Sequence, residues 1–466
     1  MNQVGNRLIR EGIVTEAQLA LGLERQRQAG GRLGQNLLAL GLITEEQLAR
    51  LFRKDKPSPR TVEETGLPLP FLADLVLKHI HAAIESRIPE LAERVRLPHS
   101  IVEKVLEALK RERLVEIAGG GGYASVTYTF RATDAGRRRA AELLEACAYL
   151  GPAPVTLDDY QDMVEFQTVK SALVSEEQVS RAFSHLILNP GVLRRIGPAV
   201  SSGRAIFLYG PPGNGKTAVA ETVARIMPDA VYIPHAVTVG GQVISLFDPV
   251  NHVPVAEPES PDRDRRWVLV QRPVVMCGGE LTLRMLDLDF NPVAKYYEAS
   301  LQMKANNGLF ILDDFGRQQV DPQNLLNRWI VPLDRGIDFM SLHTGMKFTI
   351  PFDMLVIFST NREPRSLVDE AFLRRIQYKI RIDHPSEEDF REILARVCAA
   401  QGVAVEPGVV DHLLEHYYRR LGVELNACHP RDIVEHVVVA ARYARRPPAL
   451  TTETLAEAWG NFFVEM

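Results

Sequence analysis

Cysteine is scarce and unpatterned in this sequence. Its 466 residues hold four, Cys147, Cys277, Cys398 and Cys428, and no two form a C-x-x-C pair. That usage fits single thiols in a reducing compartment rather than a disulfide framework. Long apolar runs are missing too: none reaches the ~18 residues that a membrane-spanning helix needs. The opening MNQVGNRLIREG carries charge and lacks the apolar centre of a signal peptide. A cytoplasmic chain without membrane insertion is expected. An excess of charge is also absent. With 54 Lys plus Arg against 59 Asp plus Glu, the net charge of −5 gives no general pull toward nucleic acid or an anionic membrane. What remains, 46% hydrophobic and 24% charged residues, suits ordinary globular cores, and the length allows two to four domains.

The chain divides into blocks. Residues 1–53 contain a duplication: GIVTEAQLA at 12–20 returns as GLITEEQLA at 41–49. A linker rich in proline and charge covers 54–70. Residues 71–149 read helix, helix, helix, Gly-rich hairpin, helix, the order of a winged helix-turn-helix. Residues 152–384 read as α/β with a parallel sheet, interrupted by a β-rich insertion at about 236–290. Residues 385–466 read as helical throughout.

The α/β block holds the chemistry. AIFLYGPPGNGKT at 205–217 is a G-x-x-x-x-G-K-T loop between an apolar strand and a helical pattern. Gly210, Pro211, Pro212, Gly213, Asn214 and Gly215 form a loop whose backbone N–H groups can surround phosphate oxygens. Lys216 brings charge to the β- and γ-phosphates of ATP, and the Thr217 hydroxyl is a Mg²⁺ ligand. The helix that follows adds its N-terminal dipole. LFILDDF at 309–315 is a buried strand with two carboxylates at its C-terminal end, where α/β sites lie. Asp313 is placed to hold Mg²⁺ through water, and Asp314 to polarise an attacking water. MLVIFSTN at 354–361 ends in Asn361, positioned for the γ-phosphate side. FLRR brings Arg374 and Arg375 before a strand, and HPRD puts Arg431 in the first turn of a helix.

In this order the motifs resemble an AAA+ ATPase over about residues 165–466. The resemblance implies that Asn361 is a sensor-1 residue and Arg431 a sensor-2 arginine. Arg375, with Arg374 as the alternative, is implied to be the arginine finger that reaches a neighbour's nucleotide. It further implies a homo-oligomeric ring, usually a hexamer. One departure stands out: Asp313-Asp314 replaces the usual Asp-Glu, which implies slow, switch-like hydrolysis. By the same resemblance, the loop MLDLDF before the helix expected at NPVAKYYEASLQMKANNG faces a central pore. Leu288 and Phe290 are then gripping candidates, with burial in the core as the alternative. The hairpin-like MSLHTGMKFTIPF before the sensor strand resembles the MoxR-like and helix-2-insert groups.

Residues 71–149 carry 12 Lys and Arg against 11 Asp and Glu, and the candidate recognition helix opens His99-Ser100-Ile101-Val102-Glu103. Arg137, Arg138 and Arg139 are its basic cluster. Base readers belong among the first residues of such a helix, and here apolar ones dominate. DNA binding is thus weighed below protein contact.

In the duplicated block, each copy has a T-x-x-Q capping box, Thr15 with Gln18 and Thr44 with Gln47. Each unit therefore reads as a short helix, a Gly stop and a capped second helix. R-L-G-x-x-L-L-x-x-G-L-I resembles the N-terminal domain of type II secretion and type IV pilus assembly ATPases. In some of those, tandem motifs bind cyclic di-GMP. The resemblance points to Gly5, Leu8, Gly12 and Gln26 in the first copy and to Arg32, Leu33, Gly34, Leu37 and Gly41 in the second. Gln3 and Asp55 break the polar pattern, one in each copy.

The leading reading is an ATP-driven ring that remodels a protein partner, gated or docked through its N-terminal module. A DNA-associated switch and a slow nucleotide-sensing scaffold are the alternatives.

Overall fold

The computed structural model describes residues 8–9, 13–29, 33–44, 57–119, 128–171, 174–227, 230–256 and 262–462. The chain forms two units, residues 1–58 with 260–264, and 59–259 with 265–466.

In the first unit, helices Glu16–Ala29 and Leu33–Ala39 pack around Leu8, Val14, Leu19, Leu33, Leu37 and Ile43. The duplication is visible in its turns. Ile13 N–H donates to the Leu8 carbonyl, and Leu42 N–H, 29 residues on, donates to that of Leu37, both at 2.9 Å. Such a six-to-one bond closes a helix C-terminus. The first capping box forms: Thr15 N–H donates to Gln18 Oε1 at 2.8 Å, and Gln18 N–H returns to Thr15 Oγ1 at 3.3 Å. Gln47, its counterpart in the second copy, lies outside the described residues, as do Gly5, Gly12, Arg32, Gln3 and Asp55.

In the second unit, helices Leu69–Ala83, Ile88–Val95 and His99–Arg111 are followed by strands Val115–Gly119 and Thr129–Ala132 and by helix Asp134–Ala146. A short strand, Glu85–Arg87, joins them, so that Thr129–Ala132 is the centre of three strands. The recognition-helix candidate buries Ile101, Val102, Val105, Leu106 and Leu109.

A five-stranded parallel sheet is the frame of the α/β core. Its order is Val274–Cys277, Leu309–Leu312, Leu355–Thr360, Ile206–Tyr209, Tyr378–Arg381. The strands read as unbroken apolar runs because both faces are covered. Successive side chains alternate between two cores. Leu309 and Ile311 face helix Lys216–Ile226 through Val219 and Val223. Phe310 and Leu312 enter the opposite core with Phe207, Phe358 and Trp329, where Phe207 stacks on Phe358 with ring centres 5.7 Å apart.

Three expectations change here. First, Val274–Cys277, read as part of an insertion over 236–290, is the edge strand of the central sheet. The insertion proper is the antiparallel pair Ala230–Pro234 with Trp267–Gln271, together with the hairpin of strands Ala236–Val239 and Gln242–Ser245. Second, the helix expected over 291–308 shrinks to Leu301–Ala305, and Asp289–Phe290 pairs with Tyr297–Glu298 instead. The Asn291-Pro292 step causes this. The Asn291 side chain accepts from Val293 and Ala294 N–H at 3.0 and 2.9 Å, which fixes a turn where a helix would have to run. Third, the C-terminal region is helical apart from one parallel pair, Ala404–Val405 with Ala449–Leu450. The hairpin before the sensor strand forms as Ile337–Ser341 with Lys347–Pro351.

Candidate functional site

The phosphate loop leaves strand Ile206–Tyr209 and enters helix Lys216–Ile226. Gly210 and Gly213 are required by close approaches. A Cβ on Gly210 would lie 2.1 Å from the Ile382 carbonyl oxygen, and one on Gly213 would lie 2.8 Å from Cys428 Sγ. Both also have positive φ, +140° and +76°. Lys216 is 6% exposed. Its Nζ donates to the carbonyls of Gly210 (3.0 Å) and Pro211 (2.7 Å), which holds the ammonium over the loop. Burial lowers its pKa, and the carboxylates of Asp314 and Asp313 oppose that shift.

Thr217 Oγ1 donates to Asp313 Oδ2 at 2.8 Å. This joins the two oxygens expected near a divalent cation, a hydroxyl and a carboxylate suited to a hard ion. Asp314 follows in the left-handed region (φ +48°). That conformation is uncommon outside glycine, tolerated by Asp and Asn, and found at functional turns. Gln318 Nε2 supports the turn by donating to the Asp313 carbonyl at 2.9 Å. Asn361 Nδ2 donates to Asp314 Oδ1 at 3.3 Å. Lys216, Thr217, Asp313, Asp314, Asn361 and Arg431 line one cavity of about 550 Å³. This set of groups has the chemistry to seat a triphosphate with a divalent cation and to position a water beside it.

Arg374 and Arg375 are not brought to this cavity. They line a second one, of about 730 Å³, together with Lys170, Arg204 and Arg335. Arg375 Nε donates to Asp334 Oδ2 at 2.8 Å, whereas Arg374 is exposed, 3.8 Å from Glu370. Leu288 and Phe290, offered as gripping residues, are partly buried against the core of the inserted sheets. The Phe290 ring stacks on His343 with centres 4.2 Å apart. Leu8, Leu33 and Leu37 are likewise buried in their unit's core, which leaves their carbon surface closed to a ligand in this conformation.

Motif reading misses His185–Leu188, Arg396 and Cys428, which also line the 550 Å³ cavity. No spacing signal marks them, because they come from segments far apart in sequence. Burial pushes the Cys428 thiol up to about 11, so it is protonated at neutral pH.

A family described as "Domain of unknown function (DUF8689)" matches residues 386–461. The chain is similar to an "AAA ATPase forming ring-shaped complexes" from Corynebacterium glutamicum (strain R). The two are 25% identical over 286 residues, 60% of this chain and 46% of the relative. A protein of the same description from Corynebacterium diphtheriae is 26% identical over 249 residues, 51% of this chain and 42% of the relative. The chain thus spans about half the length of the curated relatives it matches. Among solved structures, the Thermotoga maritima RuvB Holliday junction branch migration motor aligns with a TM-score of 0.32 and 12% identity, covering 64% of this chain and 74% of that one. A mutant of the same RuvB gives 0.34 and 11% over similar shares. Site geometry and sequence likeness point the same way: the α/β core of this chain resembles that of an AAA+ ATPase.

Proposed function

We propose that this chain is an ATP-hydrolysing ring motor that remodels a protein partner. One observation carries the reading. Phosphate loop, Asp313, Asp314, Asn361 and Arg431 share a single cavity, while the two finger candidates lie at another. Each subunit then holds and orients ATP, and a neighbour supplies the finger arginine. Lys216 neutralises the β- and γ-phosphates. Thr217 and Asp313 would hold Mg²⁺, which when bound would shield the phosphate charge. Asp314 takes the proton of the attacking water, Asn361 orients that water, and Arg431 reaches the phosphates from the C-terminal helices, which act as a lid.

Arg375 must release Asp334 to act across a subunit boundary. Mixing Arg375→Ala chains with Asp313→Ala chains should therefore restore turnover severalfold above either alone. Such mixing pairs an intact finger with an intact site. No rescue, together with full activity of Arg375→Ala alone, would refute a finger in trans.

Leu283, Met285 and Phe339 are exposed apolar side chains, the first two on the loop before Leu288 and the third on the hairpin Ile337–Ser341. They replace Leu288 and Phe290 as the proposed contacts for a protein partner. The helix order and three-stranded sheet of 69–146 support the winged-helix reading. Its basic cluster is largely neutralised, since Arg137 pairs with Asp134 and Arg139 lies 3.5 Å from Asp74. That favours protein contact over DNA.

The repeated six-to-one turns support a tandem-motif input module in residues 1–53. If it senses cyclic di-GMP, calorimetry of the full chain should show binding that Arg32→Ala weakens about tenfold or more, as loss of a charged contact does. No heat from the unmodified chain at millimolar ligand would leave docking as the module's role.

A further inference from the structure

We propose that Asn214 is a positioning residue that registers the C-terminal helices on the phosphate loop and so aims Arg431 into the cavity. The inference rests on the ATPase reading above and deepens it. Asn214 occupies the last unrestricted place of the G-x-x-x-x-G-K-T loop, where any residue satisfies the motif. Yet it is 3% exposed, and its side chain bonds to the C-terminal region. Its Oδ1 accepts from Ala427 N–H at 3.0 Å, and its Nδ2 donates to Asn426 Oδ1 at 3.2 Å. The second amide proton is shared by the Pro211 and Pro212 carbonyls, at 3.4 and 3.3 Å. His384 Nδ1 also lies 3.4 Å from Nδ2, but it sits 2.8 Å from the Leu425 carbonyl and spends its proton there. A third bond crosses beside these two, from Cys428 N–H to the Gly213 carbonyl at 2.9 Å.

Three hydrogen bonds thus join Gly213-Asn214 to Asn426–Cys428. That segment leads directly into helix His429–Tyr443, whose third residue is Arg431. The far side is equally fixed. Because Asn426 Oδ1 accepts from Asn214, its Nδ2 donates to His429 Nε2 at 3.1 Å. His429, kept neutral by burial, then carries its proton on Nδ1, facing Tyr418 Oη at 2.9 Å. A directed chain of polar contacts therefore runs from the phosphate loop into the core of the C-terminal helices. Arg431 itself has little else to place it. Its side chain is 70% exposed, with Asp432 3.6 Å away.

The test measures ATP affinity and hydrolysis in the full chain and in Asn214→Ala, Asn426→Ala, Arg431→Ala and the two doubles with Arg431→Ala. Asn214→Ala and Asn426→Ala should each lower kcat/KM about tenfold. Adding either to Arg431→Ala should cost nothing further, since residues acting through one group do not add. A purely structural role would make the losses multiply, and that result, or full activity in Asn214→Ala, overturns the inference. Asn426→Ala touches no phosphate-loop backbone, so it carries the test if Asn214→Ala fails to fold. An unmodified chain without ATP turnover would instead overturn the ATPase reading, and this inference with it.

Discussion

Lys216→Ala should abolish ATP turnover and weaken ATP binding on the order of 10³-fold, the scale expected when one partner of a buried, hydrogen-bonded charge pair is removed. The cause is local. Lys216 is the one cation that the phosphate loop itself supplies, and it is held over the loop by the Gly210 and Pro211 carbonyls. Its ammonium is already largely stripped of water, so little of its hydration remains to be lost when phosphate arrives. The loop should survive the change. Its shape is set by glycines at positive φ and by the bonds of Asn214, neither of which involves the lysine side chain. A melting curve within a few degrees of the unmodified chain, with no titration of a fluorescent ATP analogue and no phosphate release, is the expected pattern. Unaltered turnover would move the nucleotide site elsewhere.

The legible parts of this molecule are those where a motif sits at the end of a buried strand. Lys216, Asp313-Asp314 and Asn361 could each be placed because an unbroken apolar run precedes them, and such a run in an α/β chain has one position to occupy. The edge strand Val274–Cys277 was hidden for the opposite reason. VLVQRPVVM is one apolar stretch in sequence, but it divides at Arg272-Pro273. Its first half pairs antiparallel with Ala230–Pro234, and its second half runs parallel to Leu309–Leu312. The break is stabilised by the buried Arg272, whose guanidinium donates to the carbonyls of Gln167 and Asn307 at 3.2 and 2.6 Å. Those partners are 105 and 35 residues away, so no local pattern announces them. Phe290 misled in another way. An apolar residue in a polar loop looks available for gripping, but His343, in the turn that joins Ile337–Ser341 to Lys347–Pro351, covers it. The tie between Asn214 and Asn426 spans 212 residues and has no sequence signature at all.

Asp314→Asn should leave ATP binding in place and lower turnover by roughly 10²–10⁴-fold, the range for losing a positioned general base. Asparagine is the informative substitution because Asp314 is left-handed, at φ +48°. Asn tolerates that region about as well as Asp, so the backbone turn stays intact, whereas alanine there adds strain of about 1 kcal/mol. The amide oxygen can still accept from Asn361 Nδ2, which approaches Asp314 Oδ1 at 3.3 Å. What disappears is the negative charge that draws a proton from water. Asp313 is committed to the proposed cation side, where its Oδ2 accepts from the Thr217 hydroxyl at 2.8 Å. Single-turnover measurements on preloaded ATP separate the two steps. Slow cleavage with ATP retained assigns the base to Asp314, while undiminished cleavage would show that water is activated by another group and that the Asp313-Asp314 pair serves the cation alone.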